Sequence, residues 1–297
     1  MPFSLSTKNE LARVFPEGAC CARAELAAIA SLDGKWGKDG KLEVTSSNAA
    51  AARKVYTLLK KLYRTENQVA ARKKRRLDKK NLYVVSAQGV QQLVDDPLAQ
   101  PDTDALPSKR CCRRSFLRGA FLARGSATNP NRGYHLEFWT SSKREAERIV
   151  GCLESFGIAA GISTRKRGLV VYLKEGEKIA HLLSLMGAHR ALLRFENVRI
   201  MKGMRGQVNR LVNCETANMD KTVQAAMKQV AQIRKIQEKI GLDKLPPKLR
   251  DLALLRLEHP YATFAELGEL LTPRVTKSGV SYRMGRLAKI AEDLGEG

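Results

Sequence analysis

The chain has few cysteines, and none of them stands in the spacing that structural zinc sites favour. Six occur in 297 residues, and the two adjacent pairs, Cys20–Cys21 and Cys111–Cys112, contain no C-x-x-C motif. Four scattered histidines do not strengthen the case for a metal. Because free cysteines are typically small buried residues of proteins in a reducing compartment, we expect simple thiols and no bound metal or cofactor.

Long hydrophobic runs are also missing. No segment approaches the roughly 18–20 apolar residues that a membrane-spanning helix needs. The start, "MPFSLSTKNELARVF", lacks the basic and then apolar pattern of a secretory signal. With 43% hydrophobic residues and a mean hydropathy of −0.32, we expect a soluble, cytoplasmic protein with no membrane partner.

Acidic residues are scarce relative to basic ones, with 30 Asp and Glu against 53 Lys and Arg and a net charge of +23. Such an excess repels itself unless a polyanion is the usual partner, and nucleic acid is the leading candidate. Aromatic residues make up only 6% of the chain and form no stacking motif, which favours double-stranded DNA over RNA.

Three blocks of sequence occur twice in the same order. They begin at Cys20 and Cys111, at Leu42 and Leu136, and at Leu82 and Leu169. Repeated blocks in one order indicate an internal duplication. The repeats span about 20–95 and 111–190, and the proline-containing stretch 95–110 joins them.

Each repeat has the pattern of a mixed α+β unit. A helix is predicted over about 20–32 and 111–123, followed by a strand over about 40–46 and 134–140. A second helix begins near Ser47 or Ser141, and a two-stranded hairpin and a short helix close each repeat. The pattern predicts a duplicated αββαββα domain covering residues 1–212.

Basic clusters occupy the same hairpin in both repeats, as "ARKKRRLDKK" (71–80) and "STRKRG" (163–168). Two units packed about a pseudo-twofold axis would place both clusters on one side, forming what we call the basic saddle. The alternative is two solvated hairpin tips without a role. The candidate DNA-binding residues of the saddle are Arg72, Lys73, Lys74, Arg75, Arg76, Arg165, Lys166 and Arg167.

The first helix of each repeat resembles the motif helix of the LAGLIDADG homing-endonuclease fold, at residues 26–34 and 117–125. Small residues on one stripe, such as Ala28 and Gly119, would let the two helices approach closely. In cleaving members of that fold each helix delivers one acid, and the two acids hold divalent metals at the scissile phosphates. Here the two positions carry Asp33 and Arg124, so we expect no catalytic residues and binding without cleavage.

Residues 213–241 are predicted to form a linker helix. Asn218 or Asp220 is placed to cap it, and an apolar stripe with spacings of three and four residues runs to Ile240. Just before it, "RGQVNRLVN" offers Arg205 and Arg210 as donors to phosphate or bases. A structural loop is an equal alternative for that stretch.

Residues 242–297 have the pattern of a helix-turn-helix domain. Pro247 suits a first helical turn, and Thr263 and Thr276 can cap the two following helices. The third helix and the turn before it are basic, whereas acids flank them; an ordinary helical cap domain is the alternative. The candidate DNA-contacting residues are Arg274, Lys277, Ser278, Ser281, Tyr282, Arg283 and Arg286.

The whole chain resembles the WhiA family of sporulation and cell-division regulators of Gram-positive bacteria. The most specific pieces are "FLRGAFLARGS", "NRLVNCETANMDKTV" and "LPPKLRDLALLRL…ELGELL…TKSGVSYRMGRL". The resemblance implies a non-cleaving, nucleoid-associated transcriptional regulator acting in cell division, chromosome segregation and, in sporulating relatives, sporulation. Other transcription regulators or RNA polymerase are candidate protein partners. A metal-dependent DNA endonuclease and an architectural nucleoid-associated protein are the competing functions.

Overall fold

A computed structural model of the chain describes residues 2–37, 40–64, 67–73, 81–100, 103–166 and 168–295. The chain forms two compact units that divide between Lys202 and Gly203. The first unit is mixed α+β and the second is helical, which confirms the predicted fold class. Within the described ranges, no helix combines the length and the apolar character needed to cross a bilayer.

The first repeat follows a short leading helix, α1 (Phe3–Leu11), which the sequence patterns did not reveal. Its elements are α2 (Ala19–Asp33), β1 (Gly34–Trp36), β2 (Leu42–Ser46), α3 (Ala49–Tyr63), β3 (Asn67–Lys73), β4 (Asn81–Ala87) and α4 (Gln91–Val94). All strand pairs are antiparallel, in the order β1-β2-β4-β3. A helix therefore leads into a four-stranded sheet. The first basic cluster (71–80) begins at the end of β3, and its residues 74–80 lie outside the described residues.

The second repeat has the same elements in the same order, which confirms the duplication. They are α5 (Arg110–Arg124), β5 (Gly125–Ala127), β6 (Leu136–Thr140), α6 (Lys143–Glu154), β7 (Gly161–Arg165), β8 (Gly168–Leu173) and α7 (Gly176–Met186). The sheet order is β5-β6-β8-β7, equivalent to that of the first repeat. Buried Leu136 and Phe138 alternate with partly exposed residues, as expected of a strand with one face on the core.

The second helix of each repeat begins one residue later than predicted. Asn48, not Ser47, caps α3, and its side-chain oxygen accepts from the backbone N–H groups of Ala50 (2.8 Å) and Ala51 (3.2 Å). Ser142, not Ser141, precedes α6, and its side chain makes no capping hydrogen bond. Asparagine is at least as good an N-cap as serine, so the neighbouring Asn48 takes the role.

The helix α8 (His189–Lys239) is 51 residues long, so the prediction of a helix starting at Asn218 or Asp220 is wrong. No proline lies between Pro130 and Pro246 to end a helix in this region. Gly203 and Gly206 lie inside α8, where a glycine costs only about 1 kcal/mol relative to alanine. The stretch "RGQVNRLVN" is accordingly helical and not a loop.

The second unit packs the C-terminal part of α8 with α9 (Pro247–Glu258), α10 (Phe264–Leu270) and α11 (Lys277–Asp293). Its core contains Ile233, Ile236, Leu252, Leu267, Val280 and Leu287. Leu270, at the C-terminal end of α10, is half exposed and lies outside this core. The three short helices confirm the predicted helix-turn-helix order.

Candidate nucleic-acid interface

The two motif helices, α2 and α5, pack directly against each other along their small residues. A Cβ atom added to Gly119 would lie 2.3 Å from the carbonyl oxygen of Glu25 and 3.1 Å from the Cβ of Ala28. Ala27, Ala28 and Ala120 are fully buried. The predicted close approach is confirmed, and Gly119 is the position at which only glycine fits.

A buried group of three charged side chains ties this helix pair to α3. The Glu25 carboxylate accepts two hydrogen bonds from Arg118, from Nε at 3.1 Å and from Nη2 at 2.8 Å, and it also contacts the ammonium group of Lys54. Lys54 Nζ further donates to the carbonyl oxygens of Leu11 (2.9 Å) and Val14 (2.5 Å). Burial lowers the pKa of Lys54 to about 8, against the opposing effect of the Glu25 charge. No sequence pattern indicates this group, because its three members lie in three different helices.

The C-terminal ends of α2 and α5 bring Asp33 and Arg124 together. Arg124 Nε lies 2.5 Å from Asp33 Oδ1, and the two side chains are 44% and 16% exposed. Burial lowers the pKa of Lys8, on α1, to about 8, and the negative charge of Asp33 acts in the opposite direction. A two-metal clamp needs carboxylates at both helix ends, whereas here a guanidinium already neutralises the single acid.

The two basic hairpins occupy equivalent places in the two sheets, each joining an edge strand to its neighbour. Arg165 and Lys166 are exposed at the β7–β8 turn, where Arg165 pairs with Gly168. In the first hairpin the side chains of Arg72 and Lys73 are outside the description, as are residues Lys74, Arg75 and Arg76; Arg167 is likewise outside the described residues. The equivalent placement of the hairpins is confirmed, and their contact with DNA stays a prediction.

In the second unit, caps and a close backbone contact fix the start of α11. Thr263 and Glu266 form a reciprocal capping box at α10, and the Thr276 hydroxyl accepts from the Gly279 N–H at 3.3 Å. Val275 N–H donates to the Gly268 carbonyl at 2.9 Å. A Cβ on Gly268 would lie 2.1 Å from the Val275 carbonyl oxygen, so the turn before α11 requires glycine there.

Helix α11 has one buried face and one exposed face. Val280, Met284, Leu287 and Ala291 are buried against the core. Tyr282 is 70% exposed, and Arg283 is only partly exposed. The other predicted contact residues are exposed, namely Arg274, Lys277, Ser278, Ser281 and Arg286, as are Arg205 and Arg210 on α8. The start of α11 therefore presents hydroxyl, ammonium and phenol groups suited to base edges and phosphates.

At their other ends, α2 and α5 bring together four of the six cysteines. The Sγ atoms of Cys20, Cys21, Cys111 and Cys112 all lie within 4.8 Å of one another. The sequence did not predict this group, because its cysteines lack the C-x-x-C spacing that is typical of zinc ligands. Its signal is a C-C doublet that begins the same helix in both repeats.

The fold defines a duplicated LAGLIDADG-like module followed by a helix-turn-helix unit. Family models bear this out along the chain: the WhiA N-terminal LAGLIDADG-like domain matches residues 19–97, the WhiA LAGLIDADG-like domain matches 113–205, and the WhiA C-terminal HTH domain matches 208–291. The chain belongs to the WhiA family.

Individual relatives agree with this assignment over nearly their full length. The chain is 46% identical to the probable cell division protein WhiA of Heliobacterium modesticaldum, covering 98% of this chain and 96% of that protein. It is 45% identical to the probable cell division protein WhiA of Desulforamulus reducens, covering 100% and 97%. The crystal structure of full-length DUF199/WhiA from Thermotoga maritima aligns with a TM-score of 0.66 at 28% identity, covering 99% of both chains.

Proposed function

We propose that this protein binds double-stranded DNA at preferred sequences without cutting it. The observation that carries the proposal is the two-faced helix α11, which is capped at Thr276 and exposes Lys277, Ser278, Ser281 and Tyr282. In helix-turn-helix proteins the N-terminal residues of this helix contact base edges in the major groove. The net charge of +23 supports a polyanionic partner.

We assign different tasks to the parts of the chain. Residues 1–212 hold the DNA backbone through the basic saddle, residues 242–297 read bases, and residues 213–241 link the two. Arg205 and Arg210, exposed on α8, add phosphate contacts. Because lysine and arginine contacts to phosphate release counterions, the affinity for a duplex should fall steeply with salt concentration.

The Asp33–Arg124 ion pair supports the absence of cleavage. Metal-dependent hydrolysis needs carboxylates to hold the ions that stabilise the attacking and leaving oxygens. The Arg124 guanidinium repels a metal cation and forms an ion pair with the Asp33 carboxylate. An endonuclease is the competing function, and cleavage of a bound duplex in Mg²⁺ or Mn²⁺ that Asp33→Asn abolishes would establish it.

In the cell we propose that the protein is a transcriptional regulator of cell division and chromosome segregation and, in a sporulating organism, of sporulation. The names of its relatives support a role in cell division. The site of action is the nucleoid in the cytoplasm, with other transcription regulators or RNA polymerase as candidate partners.

The experiment that tests this function is mapping of bound DNA across the genome, combined with transcript measurement after depletion. A regulator gives discrete sites beside genes whose expression changes. Uniform coverage without such changes would instead identify an architectural nucleoid protein. A purified protein that prefers no duplex over a neutral polymer at moderate ionic strength would contradict DNA binding altogether.

A further inference from the structure

The cysteine cluster lies where the first turns of two equivalent helices meet. Cys20 and Cys21 belong to the first turn of α2, and Cys111 and Cys112 to the first turn of α5. Cys111 and Cys112 stand 91 positions after Cys20 and Cys21, which is also the separation between Asp33 and Arg124. The duplication has therefore placed one doublet on each side of the helix seam, at the end opposite the Asp33–Arg124 pair.

The distances suit one metal ion. A tetrahedral Zn²⁺ with bonds of about 2.3 Å to sulfur sets its ligand sulfurs about 3.8 Å apart. Cys21 Sγ lies 3.9 Å from Cys112 Sγ, and all four sulfurs lie within 4.8 Å of one another. Side-chain adjustments of about 1 Å or less at each sulfur would complete the tetrahedron. A four-iron cluster attaches each thiolate to a different iron, which requires sulfurs that stand farther apart.

The chemistry of the cluster is uniform and soft. Four thiol groups form it, and no histidine or carboxylate belongs to it among the described residues. An all-thiolate set selects zinc or copper(I) over magnesium, calcium or manganese. Cys21, Cys112 and Ala24 are buried, whereas Cys20 is exposed, so an ion could enter from one side and be shielded on the other.

The surroundings carry positive charge, although burial raises the pKa of the Cys21 and Cys112 thiols, which therefore keep their protons until a metal displaces them. The N-terminal ends of both helices carry partial positive charge, and neither Gly18 nor Lys109 makes a side-chain capping bond there. Helix N-termini and nearby cations stabilise the thiolate form of cysteine. A zinc ion with four thiolates carries a net charge of −2, and Arg23, Arg110, Arg113 and Arg114 stand within two residues of the ligands in the sequence.

We propose that Cys20, Cys21, Cys111 and Cys112 bind one Zn²⁺ as a structural site that joins the N-terminal ends of α2 and α5. The ion replaces the four thiol protons, which leave to solvent, and no electron is transferred. Because all four positions are filled by protein, the site has no open coordination position for catalysis. Its role is to fasten the two repeats across their seam, and it does not depend on DNA binding.

The test uses the full chain, purified reduced and without a metal-binding tag. We expect one zinc per chain by elemental analysis. Replacement of the zinc by Co²⁺ should give the strong visible bands of tetrahedral cobalt and near-ultraviolet thiolate-to-cobalt charge transfer. Cys21→Ser and Cys112→Ser should each weaken zinc binding by more than about 100-fold, since losing a ligand costs more than losing an outer-shell partner.

Cys214→Ser is the matched control, because Cys214 is exposed on α8 and outside the cluster. It should leave the zinc content and the cobalt spectrum unchanged. The proposal fails if the reduced wild-type chain binds Zn²⁺ no more tightly than the variant with all four cysteines changed to serine. It also fails if Co²⁺ gives only the pale spectrum of octahedral oxygen ligation.

A second measurement uses the unmodified chain, so it tests the proposal even if the serine variants do not fold. Zinc should slow alkylation of the four cluster cysteines and leave the labelling rate of Cys214 unchanged, as read by mass spectrometry. Removal of the metal by a chelator should lower the melting temperature of the first unit, and added Zn²⁺ should restore it. Equal alkylation rates with and without zinc would overturn the proposal, as would disulfide formation within the cluster in the presence of both reductant and zinc.

Discussion

Arg124 holds Asp33 at the C-terminal ends of the two motif helices, with Nε 2.5 Å from Oδ1. The pair occupies the two positions that deliver acids in cleaving members of the fold that the sequence resembles. A cation has replaced one acid and neutralises the other. Arginine supplies no carboxylate ligand for a metal ion, and its guanidinium is a group that binds phosphate well.

Asp33→Asn should free Arg124 for DNA. We expect little loss of stability, under about 1 kcal/mol, because the ion pair is partly exposed. The slope of the logarithm of affinity against the logarithm of salt concentration should steepen by up to about 0.9, the value for one added phosphate contact. Asp95→Asn, at an exposed position of the same unit, makes the same charge change and serves as the control. Identical slopes for both variants would place the ion pair away from the DNA.

Gly119→Ala should destabilise the first unit. The added Cβ would lie 2.3 Å from the Glu25 carbonyl oxygen, so the helices must separate, at a typical overpacking cost of about 1–3 kcal/mol. Trp36 and Trp139 are the two tryptophans of the chain and both lie in this unit, so their fluorescence in urea reports its unfolding. Gly133→Ala, in the same unit and with open space around the added Cβ, should not destabilise and sets the baseline. Equal effects of the two substitutions would contradict a tight seam.

Glu25→Gln should be among the most damaging single substitutions in the first unit. It leaves the buried Lys54 and Arg118 without a counter-charge, and breaking a buried ion pair in this way costs about 3–5 kcal/mol. The control is Glu147→Gln, which removes an exposed pair with Lys143 at 3.5 Å and should cost no more than about 0.5 kcal/mol. Urea unfolding followed by tryptophan fluorescence compares the two.

Stability of the first unit should rise between about pH 8 and 9. Burial lowers the pKa of Lys54 to about 8 in the folded chain, against 10.5 when unfolded, so the folded state binds fewer protons in this range. Lys8 acts in the same direction. Above pH 9 the trend is opposed, because burial raises the pKa of Cys152 from 9.0 to about 12 and the folded thiol keeps its proton.

Lys54→Met isolates this contribution. The variant should show a smaller rise in unfolding free energy between pH 8 and 9 than the unmodified chain, whatever its stability at neutral pH. Unfolding curves at closely spaced pH values measure the slope. A slope unchanged by the substitution would show that Lys54 does not titrate in this window.

Arg283→Ala separates base reading from backbone contact. If Arg283 contacts a base, the variant should bind its specific sites about 1–3 kcal/mol more weakly and bind unrelated duplexes as before. Arg165→Ala should weaken binding to all duplexes equally and reduce the salt slope by about 0.9. Fluorescence anisotropy on one specific and one scrambled duplex at several salt concentrations distinguishes the two. Equal losses on both duplexes for Arg283→Ala would assign that residue to phosphate.

The order of elements was predictable because periodicity and duplication support each other. A helical period followed by alternation in "YHLEFWT" marks α5 and β6 separately, and the same blocks in the first repeat confirm the assignment. The short strands β1 and β5 begin directly at Gly34 and Gly125, where three residues are too few to show alternation. The start of α3 was missed by one residue because Ser47 and Asn48 are both good caps, and that of α6 because Ser141 and Ser142 are adjacent serines.

Long-range partners were less accessible to sequence reasoning. Asp33 and Arg124 could be paired because their positions in a repeated motif are equivalent. Glu25, Lys54 and Arg118 lie in three different helices, and nothing in their spacing shows that they share one buried site. The start of α8 was misplaced because Asn218 and Asp220 resemble caps. Both residues carry only a modest penalty inside a helix, and no proline before them ends the helix.

The Asp33–Arg124 contact also makes each half of the duplicated module specific for the other. A second repeat paired with its own copy would bring two guanidinium groups together, and a first repeat would bring two carboxylates. The equivalent positions at the helix crossing also differ, since Gly119 in the second repeat corresponds to Ala28 in the first. Because the two halves are covalently fused, their contact surfaces could diverge and become complementary to each other. Neither half now has the self-complementary surface that a symmetric dimer requires.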